Sequence, residues 1–503
     1  MIPISKTTFL QFQMCPKDTW LLLHKPELVE KFVLTEFEKH LFEQGNEVEE
    51  CARKLFPDGV SVSATGDAAI EETRWLMASD AKTIFQATVL ADGFFAKCDV
   101  LQRSAVAGSW DIYEIKGTNS KKEGSEDRDH ISDLTFQKLL LEFAGVTVGR
   151  THIVHLNKEY VRAGSLDIKA LFILDDSTEQ VNALAGALLA EMRAAQEYLN
   201  QESEPKVGCD CHLSGRSRHC RTFSYCHPEI PDYSVHDIVR IGSSKKKLEY
   251  FMDQRIYAIE DVPDDYKLGD AQKLQVSAHK SQRPIIDRGA IATALSAYVF
   301  PLYFFDYETY APAIPAFDGY SPYRKIPFQF SLHILREKGC EPEHVEFLHP
   351  KRSDPTRLVA ELLDGHIKPG GTVVVWYAPF EKEVNKEVGE RLRTHSALME
   401  RINDQVQDLR DIFAKQYYVD PKFRGSTSIK AVMPVLAPEL SYDDLAISEG
   451  ATASEQWWKM TADDTAVGDR QGIETSLREY CGLDSYAMYA IWKKLHRVVS
   501  GEA

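Results

Sequence analysis

An α/β fold in two units is what this sequence predicts, and three observations predict it. The chain has 503 residues, more than one ordinary domain holds. Short runs alternating polar and apolar residues, the mark of strands, are interspersed with stretches of helical spacing along the whole length. Two of the strand runs carry paired ionisable groups, Trp110-Asp-Ile-Tyr-Glu-Ile-Lys116 and Phe304-Phe-Asp-Tyr-Glu308.

Taken in order, residues 1 to about 60 read as helical, until Leu55-Phe-Pro-Asp-Gly59 breaks the pattern. Residues 83 to 116 read as a strand meander. A helix is expected from Ile131 to Ala144 and a strand from Thr151 to Leu156. Ser177-Thr-Glu-Gln180 has the Ser-x-x-Gln form of a capping box, and Val181, Leu184, Leu188 and Met192 continue a helix to about Asn200. A cysteine cluster comes next. Val235 to Val262 predicts two short helices joined by a Gly turn, either a plain linker or a unit that offers turn amides and lysines to a phosphate. The polar stretch from Lys267 to Arg288 suits an inter-domain connection. The next unit opens on a strand over Val299 to Asp306. A strand at 372–376, a helix at 380–393 and a closing helix at 474–497 follow. No internal repeat is read. The expected division is 1–230, a helical, helix-hairpin-helix-like linker over 231–297, and 298–503.

Composition is that of a soluble globular protein, with 44% hydrophobic and 27% charged residues. No run of about 18 apolar residues predicts a membrane span. Met1-Ile-Pro-Ile-Ser-Lys6 has no charged leader before an apolar stretch, so a cytoplasmic location is expected. The net charge of -17 argues against a broadly basic phosphate-binding surface. Metal ions would supply positive charge locally and demand carboxylates. Lys121-Lys122 and Lys245-Lys246-Lys247 are the basic clusters, either solvated surface or contacts to DNA.

Glu114 and Lys116 are two apart and share one face of their strand. A neighbouring strand ending in Asp99 would bring Asp99, Glu114 and Lys116 together. Cleaving a phosphodiester needs a cation on the phosphate and a deprotonated water. Asp99 and Glu114 offer hard oxygen ligands to Mg²⁺ or Mn²⁺, and Lys116 can position the water. Gln137, on the following helix, could orient the substrate or the lysine, and Glu49 or Glu50 could add a carboxylate. Alone, a Glu-x-Lys on a strand is usually an exposed ion pair.

Asp306 and Glu308 share one face of an otherwise apolar strand. Burying two carboxylates together is costly unless a cation compensates. Two metals ~4 Å apart resolve this. Tyr480-Cys-Gly-Leu-Asp484 places Tyr480 and Asp484 on one helix face, where Asp484 closes the metal cage and the Tyr480 hydroxyl orients a water.

Of nine cysteines, Cys209, Cys211, Cys220 and Cys226 crowd into one polar loop, and Cys15 stands near the start. In a reducing compartment such a cluster points to metal rather than disulfides. Four thiolates hold Zn²⁺ tetrahedrally or an iron–sulfur cluster, and His212 and His219 would suit zinc. Cys51, Cys98 and Cys481 lie on apolar-patterned elements and are expected in the core.

The ordered set of an early Gly-x-x-x-Glu, Asp99, Glu114-x-Lys116 and a helical Gln137 resembles the RecB-like nucleases of the PD-(D/E)xK superfamily, which have a restriction-endonuclease-like fold. Glu49 stands where they typically have His. Cys15 followed by the later cluster resembles the iron–sulfur members, the CRISPR-adaptation exonucleases and the AddB subunit. The resemblance implies a [4Fe–4S] cluster on Cys15, Cys220, Cys226 and either Cys211, which is favoured, or Cys209. The C-terminal set resembles the Tyr-containing DEDD exonucleases of the ribonuclease-H-like fold. Their middle motif, Asn-x-x-Phe-Asp, here reads Tyr377-Ala-Pro-Phe-Glu381, so Glu381 replaces Asp and Ala378 replaces Asn. Tyr323-Arg-Lys-Ile-Pro-Phe-Gln-Phe-Ser331 and Thr427-Ser-Ile-Lys430 also fit that domain. The whole resembles a bacterial fusion of the two, implying a metal-dependent deoxyribonuclease. Its partners would be DNA ends or single strands, or RNA, in repair or defence and alone or beside a helicase. A binding scaffold with decayed sites is the alternative.

Overall fold

The computed structural model describes residues 2–28, 36–121 and 130–501. Lys122, expected as a nucleic-acid contact, lies outside them. The chain divides into two units. The first comprises Met1–Cys211, His219–Pro228 and Pro312–Tyr323; the second comprises His212–Arg218, Glu229–Ala311 and Arg324–Ala503. The stretch 231–297 is therefore part of the second unit rather than a separate linker. Among the described residues no helix is long and apolar enough to cross a membrane.

The first unit begins with β1 (Ile4–Ser5), α1 (Lys6–Met14), α2 (Pro16–His24) and α3 (Glu36–Arg53). It continues with β2 (Gly59–Ser61), α4 (Asp67–Ala78), β3 (Thr83–Ala91), β4 (Phe94–Arg103), β5 (Ser109–Lys116) and α5 (His130–Phe143). After these come β6 (Thr147–Leu156), α6 (Ile168–Leu171), β7 (Phe172–Asp176), α7 (Thr178–Leu199) and α8 (Phe223–Cys226). The sheet runs β2-β3-β4-β5-β6-β7, with β1 parallel beside β4. β3, β4 and β5 form the antiparallel meander, and α5 carries the chain over to a parallel β6. The β3–β4 turn is Asp92-Gly93, both at positive φ (54° and 81°), the geometry that matches strand twist in a two-residue hairpin. β5 is buried along its length except at Lys116, as a strand covered on both faces should be. Phe9, Phe136 and Leu188 pack on one face; Val48, Phe56 and Tyr113 pack on the other.

The capping box expected at Ser177 does not form. The Ser177 hydroxyl turns back to the Asp175 carbonyl (3.4 Å), and Asp176 instead accepts from the Thr178 amide (3.0 Å) and hydroxyl (2.6 Å). The residue one place earlier reaches the helix start because Ser177 has φ -108° and ψ 16°, short of the extended N-cap conformation.

The second unit begins with α9 (Lys245–Asp253), α10 (Asp270–Ser281), β8 (Ile285–Ile286) and α11 (Arg288–Ser296). Its central elements are β9 (Leu302–Tyr310), β10 (Ile326–Leu335), β11 (Glu343–Leu348), α12 (Thr356–His366), β12 (Thr372–Val375), α13 (Ala378–Arg391) and α14 (Ser396–Gln405). It closes with β13 (Val406–Asp408), α15 (Asp411–Ala414), β14 (Tyr418–Val419), α16 (Ile429–Leu436), α17 (Gly450–Met460) and α18 (Val467–Ser500). Its main sheet is ordered β11-β10-β9-β12-β13, antiparallel across β11, β10 and β9 and parallel across β9, β12 and β13. α12, α13 and α14 supply one apolar face. The long α18 covers β9 and β10 from the other.

Val235 to Val262 is not two helices around a Gly turn. Short 3-10 turns at Val235–Asp237 and Ile241–Ser243 precede α9, and a third follows at Ile259–Asp261. Ser234-Val-His-Asp-Ile238 and Ala258-Ile-Glu-Asp-Val262 are copies of one turn, paired through an antiparallel bridge between Ser234 and Ala258. Their four apolar side chains, Val235, Ile238, Ile259 and Val262, meet in one small core. This short repeat was not legible in the sequence.

Candidate functional site

In the first unit β4 and β5 place Asp99 beside the start of the Glu-x-Lys pair: the Ile115 amide donates to Asp99 Oδ2 (2.9 Å). Lys116 Nζ lies 2.8 Å from Glu114 Oε1 and pairs with Asp133 Oδ2. Gln137, one turn beyond Asp133 on α5, donates to Glu114 Oε2 (2.5 Å). Two residues absent from the sequence-derived set complete the group. Asp133 is one. The other is Lys6, whose Nζ is 2.7 Å from Glu114 Oε1 and 3.3 Å from Asp133 Oδ1. Glu49 stands further off, bonded to Arg53 (2.5 Å) and to Gln86 (2.6 Å), and Gln86 in turn reaches Asp99 Oδ1 (3.3 Å). The β3–β4 ladder skips Gln86 and Asp99, and Gln86 takes φ 54°, the kind of local strain that gathers at functional sites.

Burial works against charge on Glu114, yet Lys116 and Lys6 outweigh it and hold the carboxyl well below the usual range. The same pairing raises both lysines against their desolvation. Asp99 has no such partner in direct contact, and burial together with Glu114 pushes it up to about 8. One carboxylate is thus fully committed to cations, while the other is short of one. Asp99 and Glu114 are the residues that would hold a divalent ion here, which would supply the missing positive charge.

In the second unit Asp306 and Glu308, on β9, meet Cys481 on α18, with ligand atoms within 4.8 Å of one another. Cys481 was expected in the core and is fully buried, but its Sγ also faces Asp306 Oδ2 at 3.6 Å. Asp484, one turn on from Tyr480, accepts from Tyr480 and from the hydroxyl of Tyr442, a residue the sequence did not flag. Burial and neighbouring carboxylates push Asp306, Glu308 and Glu381 well above the carboxylate range, and burial lifts Asp484 to about 6. None of the four forms an ion pair with a Lys or Arg among the described residues. Lys430 acts on Glu308 and Asp484 through the field alone. Buried Glu381 Oε2 accepts no hydrogen bond among them. Two further carboxylates of this unit, Asp408 and Asp411, are engaged elsewhere. Asp408 accepts from the Tyr377, Ala378 and Arg410 amides, and Asp411 pairs with Lys415.

The thiols of Cys15, Cys209, Cys211 and Cys220 lie within 4.8 Å of one another, and Cys226 borders Cys209. Both Cys209 and Cys211 are in the group, so the alternatives of the sequence occur together, and five thiols compete for four places. Cys15 is placed by the junction of α1 and α2, where it ends one helix and caps the other. Buried Asp18 fixes the loop to it, accepting from the Thr222 amide (3.0 Å), the Thr222 hydroxyl (2.9 Å) and Gln11 (3.1 Å). This group could hold a metal ion or an iron–sulfur cluster.

Lys121 pairs with Asp175 (3.1 Å) and Lys247 donates to Gln272 (2.7 Å), leaving Lys245 and Lys246 exposed on the first turn of α9.

A model of the family described as a domain of unknown function (DUF2779) matches residues 303–428, a stretch that includes Asp306, Glu308 and Glu381 but not Asp484. The chain is 24% identical over 208 residues to the uncharacterized protein UU173 of Ureaplasma parvum serovar 3 (strain ATCC 700970). That alignment covers 37% of this chain and 30% of the relative, so the chain spans under a third of the relative's length.

Proposed function

We propose that the chain is a metal-dependent nuclease that hydrolyses DNA phosphodiesters at Asp99, Glu114 and Lys116. Asp306, Glu308, Glu381 and Asp484 would form a second, two-metal exonuclease site acting on single-stranded ends of DNA or RNA. The observation that carries the reading is the charge imbalance of the second group: four carboxylates, three of them buried and Asp306 half-buried, and no ion-paired cation among the described residues. Divalent ions would offset that imbalance and polarise a scissile phosphate. The donor set is all oxygen on the carboxylate side, which suits Mg²⁺ or Mn²⁺. Tyr480 and Tyr442, both bonded to Asp484, are the hydroxyls available to orient a water. In the first group Lys116 would stabilise charge developing on the phosphate.

A meander followed by a crossover helix and a parallel strand supports the PD-(D/E)xK resemblance. A mixed five-strand sheet with helices on both faces supports the ribonuclease-H-like one. The thiol group would hold a [4Fe–4S] cluster that ties Cys15 to the loop after α7; a single zinc ion is the other fit. A cytoplasmic setting in repair or defence follows from the same reading.

Cleavage of labelled single- and double-stranded DNA, with and without Mn²⁺, tests the proposal. Lys116→Ala should abolish cutting by the first site and spare end-trimming by the second, while Asp306→Asn should do the reverse. Wild-type cutting by both variants, or no Mn²⁺-dependent cleavage at all, would overturn it. The second reading, a nucleic-acid-binding scaffold, draws on Glu49, whose Oε1 is already engaged by both Arg53 and Gln86.

A further inference from the structure

Glu114 Oε1 is shared. Lys116 Nζ sits 2.8 Å from it and Lys6 Nζ sits 2.7 Å from it, while Gln137 occupies Oε2. A carboxylate held this way has both oxygens engaged, and a metal ion can reach Oε1 only when one ammonium withdraws. Asp133 marks where that ammonium goes. Its Oδ2 is taken by Lys116, but its Oδ1 is buried, accepts no hydrogen bond among the described residues, and lies 3.3 Å from Lys6 Nζ. Lys6 therefore has two stations, a hydrogen bond to Glu114 Oε1 and a looser ion pair to Asp133 Oδ1 that has yet to close into a hydrogen bond.

The backbone supports a swing between them without moving. Lys6 is the first residue of α1, whose start is fixed by Ser5 accepting from the Thr8 amide (3.0 Å). β1, immediately before it, pairs with the β4 strand that carries Asp99. Three residues on from Lys6, Phe9 stacks on Phe136 (5.2 Å), three residues on from Asp133. The aromatic rung keeps Lys6 and Asp133 opposite one another. At about one-fifth exposure the Lys6 side chain is shielded enough for its contacts to matter and open enough to turn.

We propose that Lys6 is the resident cation of this site: it holds the Glu114 oxygen that an incoming Mg²⁺ or Mn²⁺ takes, and it transfers to Asp133 when the metal enters. Lys6 is a positioning residue. It stabilises Glu114 in the metal-free site and sets the metal concentration at which the site fills. The inference rests on the nuclease reading only for the identity of the metal.

The test is a Mn²⁺ titration of the full chain, with free Mn²⁺ followed by electron paramagnetic resonance, in an Asp306→Asn/Asp484→Asn background that removes the second site. Removing a competing cation is a coupling of the ordinary size, so Lys6→Met should bind Mn²⁺ about fivefold tighter or more. Lys6→Arg, which keeps the charge, should stay near the wild-type affinity. Asp133→Asn, which removes the second station, should weaken binding in a chain that has Lys6 and have a much smaller effect in Lys6→Met. Equal or weaker Mn²⁺ binding by Lys6→Met overturns the proposal, as does an Asp133→Asn effect of equal size with and without Lys6. If Lys6→Met does not fold, Lys6→Gln takes its place with the same expected direction. The two readings fail separately. A chain that binds Mn²⁺ as described but cuts no DNA refutes the nuclease, whereas normal cutting with an unchanged Lys6→Met affinity refutes the role of Lys6.

Discussion

Replacing Asp306 by Asn should make the metal-free protein more stable, by an amount that depends on pH. Asp306 is pushed well above its usual 3.8 by burial and by Asp484, so in the metal-free protein the fold favours its protonated form above pH 3.8. Taking up that proton costs about 1.36 kcal/mol for each pH unit between 3.8 and the folded value, so the cost is small at pH 4.5 and grows as the pH rises. Because the folded value is the raised one, stability is whole below 3.8 and is lost as pH rises toward the folded value. Asn carries no such cost at any pH. With part of the strain already relieved by relaxation, a gain of ~2–4 kcal/mol at pH 7 is expected, or of order 10 °C in the melting of the second unit. Differential scanning calorimetry of chelator-treated protein at pH 4.5 and 7.5 measures it, and repeating the scans with Mn²⁺ adds the second half. Wild type should gain from Mn²⁺ chiefly at the higher pH, and Asp306→Asn should gain much less. If Asp306→Asn is destabilising at pH 7.5, or its effect is the same at both pH values, these carboxylates are not an uncompensated buried group.

Tyr442→Phe removes a hydroxyl that favours the charged form of Asp484, so its carboxyl should rise beyond about 6 and the acid limb of the end-trimming pH profile should move to higher pH. An unshifted profile would detach Tyr442 from the site. The loss of a buried hydrogen bond should also cost ~1–3 kcal/mol in denaturant titration. Among Cys15, Cys209, Cys211, Cys220 and Cys226, single Ser variants should divide into four that lose bound metal and one that keeps it, read by metal analysis and by sulfide content. Retention by Cys15→Ser would break the link between the N-terminal helices and the loop.

How much of this was readable depends on how far apart in sequence the partners lie. The β3–β5 meander was legible because its polar and apolar residues alternate between Asp-Gly and Gly-containing turns, and the Glu114–Lys116 contact was legible because strand geometry puts residues two apart on one face. Lys6 was not, since it reaches Glu114 across 108 positions and Asp133 across still more. Asp133 was passed over because a helical Asp four residues before Gln137 reads as an ordinary first-turn acid. Tyr442 meets Asp484 across 42 positions, from a segment without periodicity. At the start of α7 the pattern misled: Ser177 and Gln180 have the composition of a capping box, but a backbone turned out of the extended conformation at Ser177 gives the work to Asp176. The turn repeat at Ser234 and Ala258 escaped notice because only its apolar positions and one Asp recur, a pattern too short to stand above chance until the bridge between the copies is seen.

One helix joins the two features of the first unit that the sequence presented as separate. α1 begins with Lys6 in the carboxylate group and ends at Cys15 in the thiol group. Nine helical residues at 1.5 Å each set the two groups roughly 14 Å apart along its axis. Phe9 is fully buried within it, stacked on Phe136 of the helix that carries Asp133 and Gln137. A helix this short has little stability of its own, so its position depends on what holds its ends. Ser5 and the β1–β4 pairing hold one end. Cys15, with the neighbouring Asp18–Thr222 bonds, holds the other. A metal or cluster on the thiols would therefore do more than close a loop: by fixing the far end of α1 it would fix the height at which Lys6 stands over Glu114. The spacing between Lys6 and Cys15 then becomes a constraint on both sites at once, which neither the Glu-x-Lys pair nor the cysteine cluster would impose alone.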